Sequence, residues 1–210
     1  MITFVEETHE YFDQAGVRVP SVTQVLQAAG LIDFSGVPTA ILKAAQQRGT
    51  RVHKAAHYLT QNDLDWESVD ITERGYVEAC ALFLAESKFE VLDQERRLFH
   101  RLHRYAGTTD IIGWWDGRPA VGDYKTGDPD DVAADIQLAA YAEALRQNIP
   151  VEWLDVTSTT PIQRVSIRLF KDGRYSAELY QNPQDFSIFL ACLTVCREQE
   201  RRGLKGRKAA

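Results

Sequence analysis

The stretch GTTDIIGWWDGRPAVGDYKTG, residues 107–127, constrains this chain more than any other. Two apolar, aromatic-rich runs flank Asp116-Gly117, a dipeptide with strong two-residue hairpin chemistry, so the runs read as paired strands. Asp110 lies on the first strand and Asp123 on the second, with Lys125 two residues further on. Side chains alternate along a strand, which puts Asp123 and Lys125 on one face and Tyr124 on the other, with Asp110 able to converge from the neighbouring strand. Carboxylates are poor strand formers, and a buried strand tolerates little unpaired charge. The pair therefore calls for a cation, and two or three oxygens plus water suit a hard divalent ion such as Mg²⁺.

The flanking sequence switches between periods. HEYF and VRV flank the turn formers Asp13 to Gly16 and read as a hairpin. Ser21 and Gln24 stand at capping-box spacing at the start of a short helix that Gly30 can end. A longer helix is expected over roughly 38–60, with Gly49 as a break, and another through ITERGYVEACALFLAESK, where Tyr76, Cys80, Phe83 and Leu84 recur at helical spacing. EVLDQERRLFH reads as a strand before the hairpin. After Gly127, Asp128 suits an N-cap and Pro129 a first helical turn for a helix through QLAAYAEALRQ. WLDVTST, RVSIRLF and RYSAELY read as further strands, the last two joined at Asp172-Gly173, and Asn182-Pro183 opens a final helix. The sum is an α/β (α+β) chain with a central mixed sheet flanked by helices, organised as one domain over 1–210: an N-terminal hairpin and helices (1–60), a sheet-and-helix centre (90–180), and a C-terminal helix with a basic tail (182–210).

Composition excludes several classes. With 44% hydrophobic and 26% charged residues, the chain is an ordinary globular one. Cys80, Cys192 and Cys196 are too few for a four-cysteine zinc or iron–sulfur site, and the last two, one helical turn apart, read as core thiols. The segment FSIFLACLTVC is too short to span a bilayer, and no charged-then-apolar leader opens the sequence, so a cytoplasmic protein without membrane contact is expected. A net charge of -6 argues against coating nucleic acid through overall charge. It leaves room for an enzyme with a local basic surface, for which RRLFHRLHR at 96–104 and the tail from Arg201 are candidates.

Beside a divalent ion, Lys125 can orient or help deprotonate a water, or stabilise charge on a phosphorane-like transition state. A bare D-x-K also fits a surface ion pair. Asp110 on a hairpin partner and Gln137 with Tyr141 one turn apart on the following helix strengthen the catalytic reading. These motifs, GTTD, then GDYKTG, then QLAAY, resemble the PD-(D/E)XK nuclease superfamily, and within it the RecB-like exonuclease branch with its phage recombination and mitochondrial genome-maintenance members. Asp110 matches the aspartate that follows a small-residue AGT-like turn, and Asp123, Lys125 and Thr126 match D-x-K-T. Gln137 and Tyr141 match the helix motif, and Gly49, Thr50 and His53 match an upstream G-T-x-x-H.

The resemblance, running from Pro20 to about Tyr141, implies a restriction-endonuclease-like core and a Mg²⁺- or Mn²⁺-dependent nuclease attacking DNA ends. It implies His53, Asp110, Asp123 and the Tyr124 main-chain carbonyl as metal ligands, with Glu95 as a further metal or neighbouring ligand. Lys125, Gln137 and Tyr141 complete the catalytic set. His57 stands where the branch often has an acid. An imidazole ligand favours softer ions somewhat, so activity with Mn²⁺ is expected. Arg96, Arg101, Arg104 and Thr126 are candidate DNA contacts, and one of Trp114 and Trp115 is a candidate base-stacking platform. Linear DNA is the expected partner, with a recombination or replication protein beside it, in a bacterial or phage-infected cell. A structure-specific or restriction-type endonuclease and a non-catalytic DNA-binding module are the alternatives.

Overall fold

A computed structural model describes residues 2–127, 133–149 and 160–204. Its centre is a five-stranded mixed sheet in which β4 (Phe89–His100), β5 (Tyr105–Trp115), β6 (Arg118–Lys125), β7 (Gln163–Leu169) and β8 (Tyr175–Tyr180) lie in sequence order. All neighbours are antiparallel except β6 and β7, which run parallel on either side of helix α4 (Ala134–Arg146). A smaller antiparallel sheet, β1 (Thr3–Val5), β2 (Glu10–Phe12) and β3 (Arg18–Val19), precedes α1 (Val22–Ala28), α2 (Thr39–Thr60) and α3 (Arg74–Glu86), and α5 (Asp185–Arg201) closes the described chain.

Strand alternation divides the core in two. Ile112 and Val121 face a layer formed by α1, α4 and α5, with Leu26, Leu138, Leu145 and Phe189 buried there. Ile111, Ala120 and Tyr124 face the opposite way, against Val52 and Ala56 of α2 and Cys80 and Phe83 of α3. Trp114 joins the first cluster and Trp115 the second, each partly buried. All three cysteines are buried free thiols. A buried ion pair, Arg164 Nη1 to Asp185 Oδ2 at 2.8 Å, fastens β7 to the start of α5.

Local signals explain the element ends. The Ser21 side chain accepts from Gln24 N while Gln24 Oε1 accepts from Ser21 N, so both halves of the capping box form. Gly30 takes a positive φ of 77° just past α1. Asp116 and Gly117, at φ 48° and 70°, make the two-residue turn between β5 and β6. One expectation needs correction. Gly49 does not break α2, which continues through it for 22 residues, because Gly costs only about 1 kcal/mol in a helix and Val52, Ala55 and Ala56 beyond it are buried. The first run of the hairpin is a strand, with Ala106-Gly107-Thr108 inside it. The expected N-cap at Asp128 with Pro129, the strand WLDVTST over 153–159 and the end of the basic tail at 205–210 lie outside the described residues; α4 starts at Ala134. Among the described residues no helix is long and apolar enough to cross a membrane.

Candidate active site

The site forms where β5 and β6 part company. Their ladder runs from Trp115↔Arg118 to Ile111↔Gly122 and stops one pair short of Asp110 and Asp123. Side chains take over from the backbone there. Thr109 Oγ1 donates to the Gly122 carbonyl at 3.1 Å, and the Tyr124 N–H donates to Asp110 Oδ2 at 2.6 Å. A buried N–H that loses its ladder partner must find another, and Asp110 supplies it. On the other side of β5, the pairs Gln94↔Ile111 and Arg96↔Thr109 leave Glu95 opposite Asp110. Directly opposed residues of antiparallel strands share a face. Glu95, Asp110 and Asp123 therefore form one row of carboxylates across β4, β5 and β6. Glu95 adopts the left-handed region at φ 49°, a conformation that costs a non-glycine residue about 1–3 kcal/mol and concentrates at functional sites.

Helices complete the site from both sides of the sheet. From α2, His53 reaches Asp110 Oδ1 through Nδ1 at 3.3 Å, Glu95 Oε1 at 3.8 Å, and the Tyr124 carbonyl through Nε2 at 3.2 Å. Burial opposes the imidazolium, yet the charges and hydrogen bond of Asp110, with Asp123 and Glu95 behind it, hold His53 up at about 9. From α4, Gln137 Oε1 accepts from Lys125 Nζ at 3.0 Å, and Gln137 Nε2 donates to the Tyr141 hydroxyl at 2.9 Å. Lys125 Nζ also pairs with Asp123 Oδ2 at 2.8 Å. Burial, then the neighbouring Asp110 charge, pushes Asp123 up to about 6, and burial with the same Asp110 charge raises Glu95. The Tyr141 hydroxyl is driven above its ordinary range by burial, so it stays protonated and acts as a hydrogen-bonding group. Gly107 makes room for it: a Cβ there would stand 2.5 Å from Tyr141 Cε1. The small residue of AGTTD thus serves packing against α4.

His53, Glu95 and Asp110 each offer a donor atom within 4.8 Å of the others. Three carboxylates crowd this row, two of them with raised pKa values, while the cations on hand are one lysine and one imidazole. The donor set is oxygen-rich with one nitrogen, which fits a divalent ion such as Mg²⁺ or Mn²⁺. His57, one turn beyond His53, turns elsewhere: Nε2 lies 3.1 Å from Gln61 Nε2, and its side chain lines a cavity of about 260 Å³ with Thr60, Asp93 and Gln94.

Two of the three arginines expected to meet DNA are already engaged. Arg96 donates to Asp93 Oδ2 at 2.7 Å and to the Asn148 carbonyl at 3.0 Å, and Arg104 pairs with Asp13 Oδ2 at 2.6 Å. Arg101 is exposed in the β4–β5 turn, several residues along the strand from Asp110. Thr126 follows Lys125 at the rim, where its carbonyl accepts from Arg48 Nη2 at 3.1 Å. Arg48 is not singled out by the motifs, although it immediately precedes Gly49-Thr50.

A family model of the PD-(D/E)XK nuclease superfamily matches residues 27–202. The match covers most of the chain, and this protein belongs to the PD-(D/E)XK nuclease superfamily. The five-stranded sheet with helices on both faces is the restriction-endonuclease-like core of that superfamily, whose members are nucleases that use divalent metal ions. Among solved structures, the chain is similar to a "putative exonuclease" from Eubacterium rectale, at 13% identity and a TM-score of 0.48, covering 75% of this chain and 69% of that one. No curated protein matches.

Proposed function

We propose that this nuclease is a Mg²⁺- or Mn²⁺-dependent DNA exonuclease of the RecB-like branch, working on DNA ends in recombination, repair or phage DNA processing. The observation that carries the reading is the row Glu95, Asp110 and Asp123, with His53 at one side and the chain Lys125–Gln137–Tyr141 at the other. His53, Glu95, Asp110, Asp123 and the Tyr124 carbonyl are the metal donors. A bound divalent ion supplies Lewis-acid polarisation of the phosphate and a lowered pKa for an attacking water.

The protein's own part is orientation and charge. Asp123 and Gln137 hold the Lys125 ammonium between them, at 2.8 and 3.0 Å, so it meets the attacking water and the developing phosphorane charge from a fixed position. Tyr141 accepts from Gln137 Nε2, which keeps the amide oxygen turned toward Lys125. The preference for ends over internal bonds rests on the likeness of AGTTD, DYKT and Q-x-x-x-Y to the exonuclease branch. Incubation with Mg²⁺ of end-labelled linear DNA beside covalently closed circles tests it. Loss of linear DNA alone supports an exonuclease; nicked or linearised circles would move the assignment to an endonuclease.

A further inference from the structure

Arg96 and Arg104 of the β4–β5 region are engaged by neighbouring groups, and a second basic surface lies beside the site. Over its 22 residues, α2 bears Lys43, Arg48, Arg51 and Lys54 and no aspartate or glutamate, within a chain of net charge -6. Helices α3, α4 and α5 each include acids. No residue of α2 before Val52 is buried. With 3.6 residues per turn, positions i, i+4, i+7 and i+11 line up, which puts Lys43, Gln47, Thr50 and Lys54 in one stripe, and all of them are exposed. The adjacent stripe holds Gln46, Thr50, His53 and His57, so the basic stripe borders the one that delivers His53 to the metal donors. Arg48 and Arg51 lie off it: the first donates to the Thr126 carbonyl, and the second pairs with Glu73.

A helix face that is merely solvated has no reason to avoid acids or to be held at an active-site rim. This one is held there. Arg48 donates to the Thr126 carbonyl at 3.1 Å, one residue past Lys125, and Gly49 faces the same residue, where a Cβ would make ordinary van der Waals contact with Thr126 Oγ1 at 3.9 Å. We propose that the Lys43–Gln47–Thr50–Lys54 stripe binds the phosphate backbone of the DNA strand as it approaches the site, an inference that rests on the nuclease reading above. Lys43 and Lys54 stand eleven residues apart, about 16 Å along the helix axis. That distance spans on the order of five nucleotides at about 3.4 Å each. Between them the Gln47 amide supplies a neutral donor to the same backbone, a positioning interaction that reads no sequence, while the Thr50 hydroxyl donates within the helix to the Gln46 carbonyl.

The test uses the Lys43→Gln/Lys54→Gln double variant, with Arg118→Gln at the closed end of β5–β6 as the comparison, and a fluorescein-labelled oligonucleotide in Ca²⁺ for anisotropy. Removing one lysine–phosphate interaction should flatten the plot of log affinity against log salt by about 0.7–0.9. The double variant is therefore expected to bind more weakly at low salt with a slope shallower by about 1.5, to keep its melting temperature, and to retain kcat at saturating DNA with raised KM. Arg118→Gln should match the wild type. An unchanged slope in a double variant whose parent cleaves DNA overturns the stripe while leaving the nuclease reading intact. Binding with the expected salt slopes by a wild type that cleaves nothing in Mg²⁺ or Mn²⁺ supports the stripe and sinks the nuclease reading instead.

Discussion

The two ends of the β5–β6 pair are built on opposite principles. At the closed end, Trp114↔Pro119 and Trp115↔Arg118 stay in register up to a two-residue turn, and the indoles pack into the clusters on either face. At the open end, beyond Ile111↔Gly122, a hydroxyl and a carboxylate replace the ladder, and charge collects where apolar packing would otherwise be. Strand pairing and chemistry compete for the same backbone groups. The ladder is complete at one end, and at the other polar side chains have displaced it.

That contrast can be broken by substitution. Lys125→Ala should lower DNA cleavage by about 10²–10⁴-fold with little change in melting temperature, read from hydrolysis of end-labelled DNA and a thermal scan. Away from the open end, Arg164→Ala removes the partner of a buried Asp185 and should cost about 3–5 kcal/mol in urea unfolding, with residual folded enzyme still active. Gly107→Ala sits between the two: the added methyl meets the Tyr141 ring, so a loss of about 1–3 kcal/mol is expected together with reduced cleavage. Gly117→Ala, in the closed-end turn at φ 70°, should cost about 1 kcal/mol and leave cleavage unchanged. Reduced cleavage in that variant would mean the two ends are not independent.

The sequence reveals the closed end more fully than the open one. Asp116-Gly117, the capping box at Ser21 and the alternation in GDYKT are local signals, and local geometry follows them. Gly49 misleads because a glycine suggests a backbone break, whereas Gly107, inside a strand that the sequence does signal, gives space to the Tyr141 ring of a distant helix. The alignment of Glu95 with the two aspartates depends on how β4 registers against β5, which spacing along one chain does not encode. The engagement of Arg96 by Asn148 and of Arg104 by Asp13 is likewise tertiary.

The central claim is that the open end holds a divalent ion, and calorimetric titration of Mn²⁺ into wild type, Asp110→Asn and Lys125→Ala tests it most directly. Binding is predicted for wild type and Lys125→Ala and should be abolished, or weakened by roughly tenfold or more, in Asp110→Asn, since an amide replaces a carboxylate at the middle of the row. Undiminished Mn²⁺ binding by a folded Asp110→Asn variant would contradict the account and place the ion elsewhere.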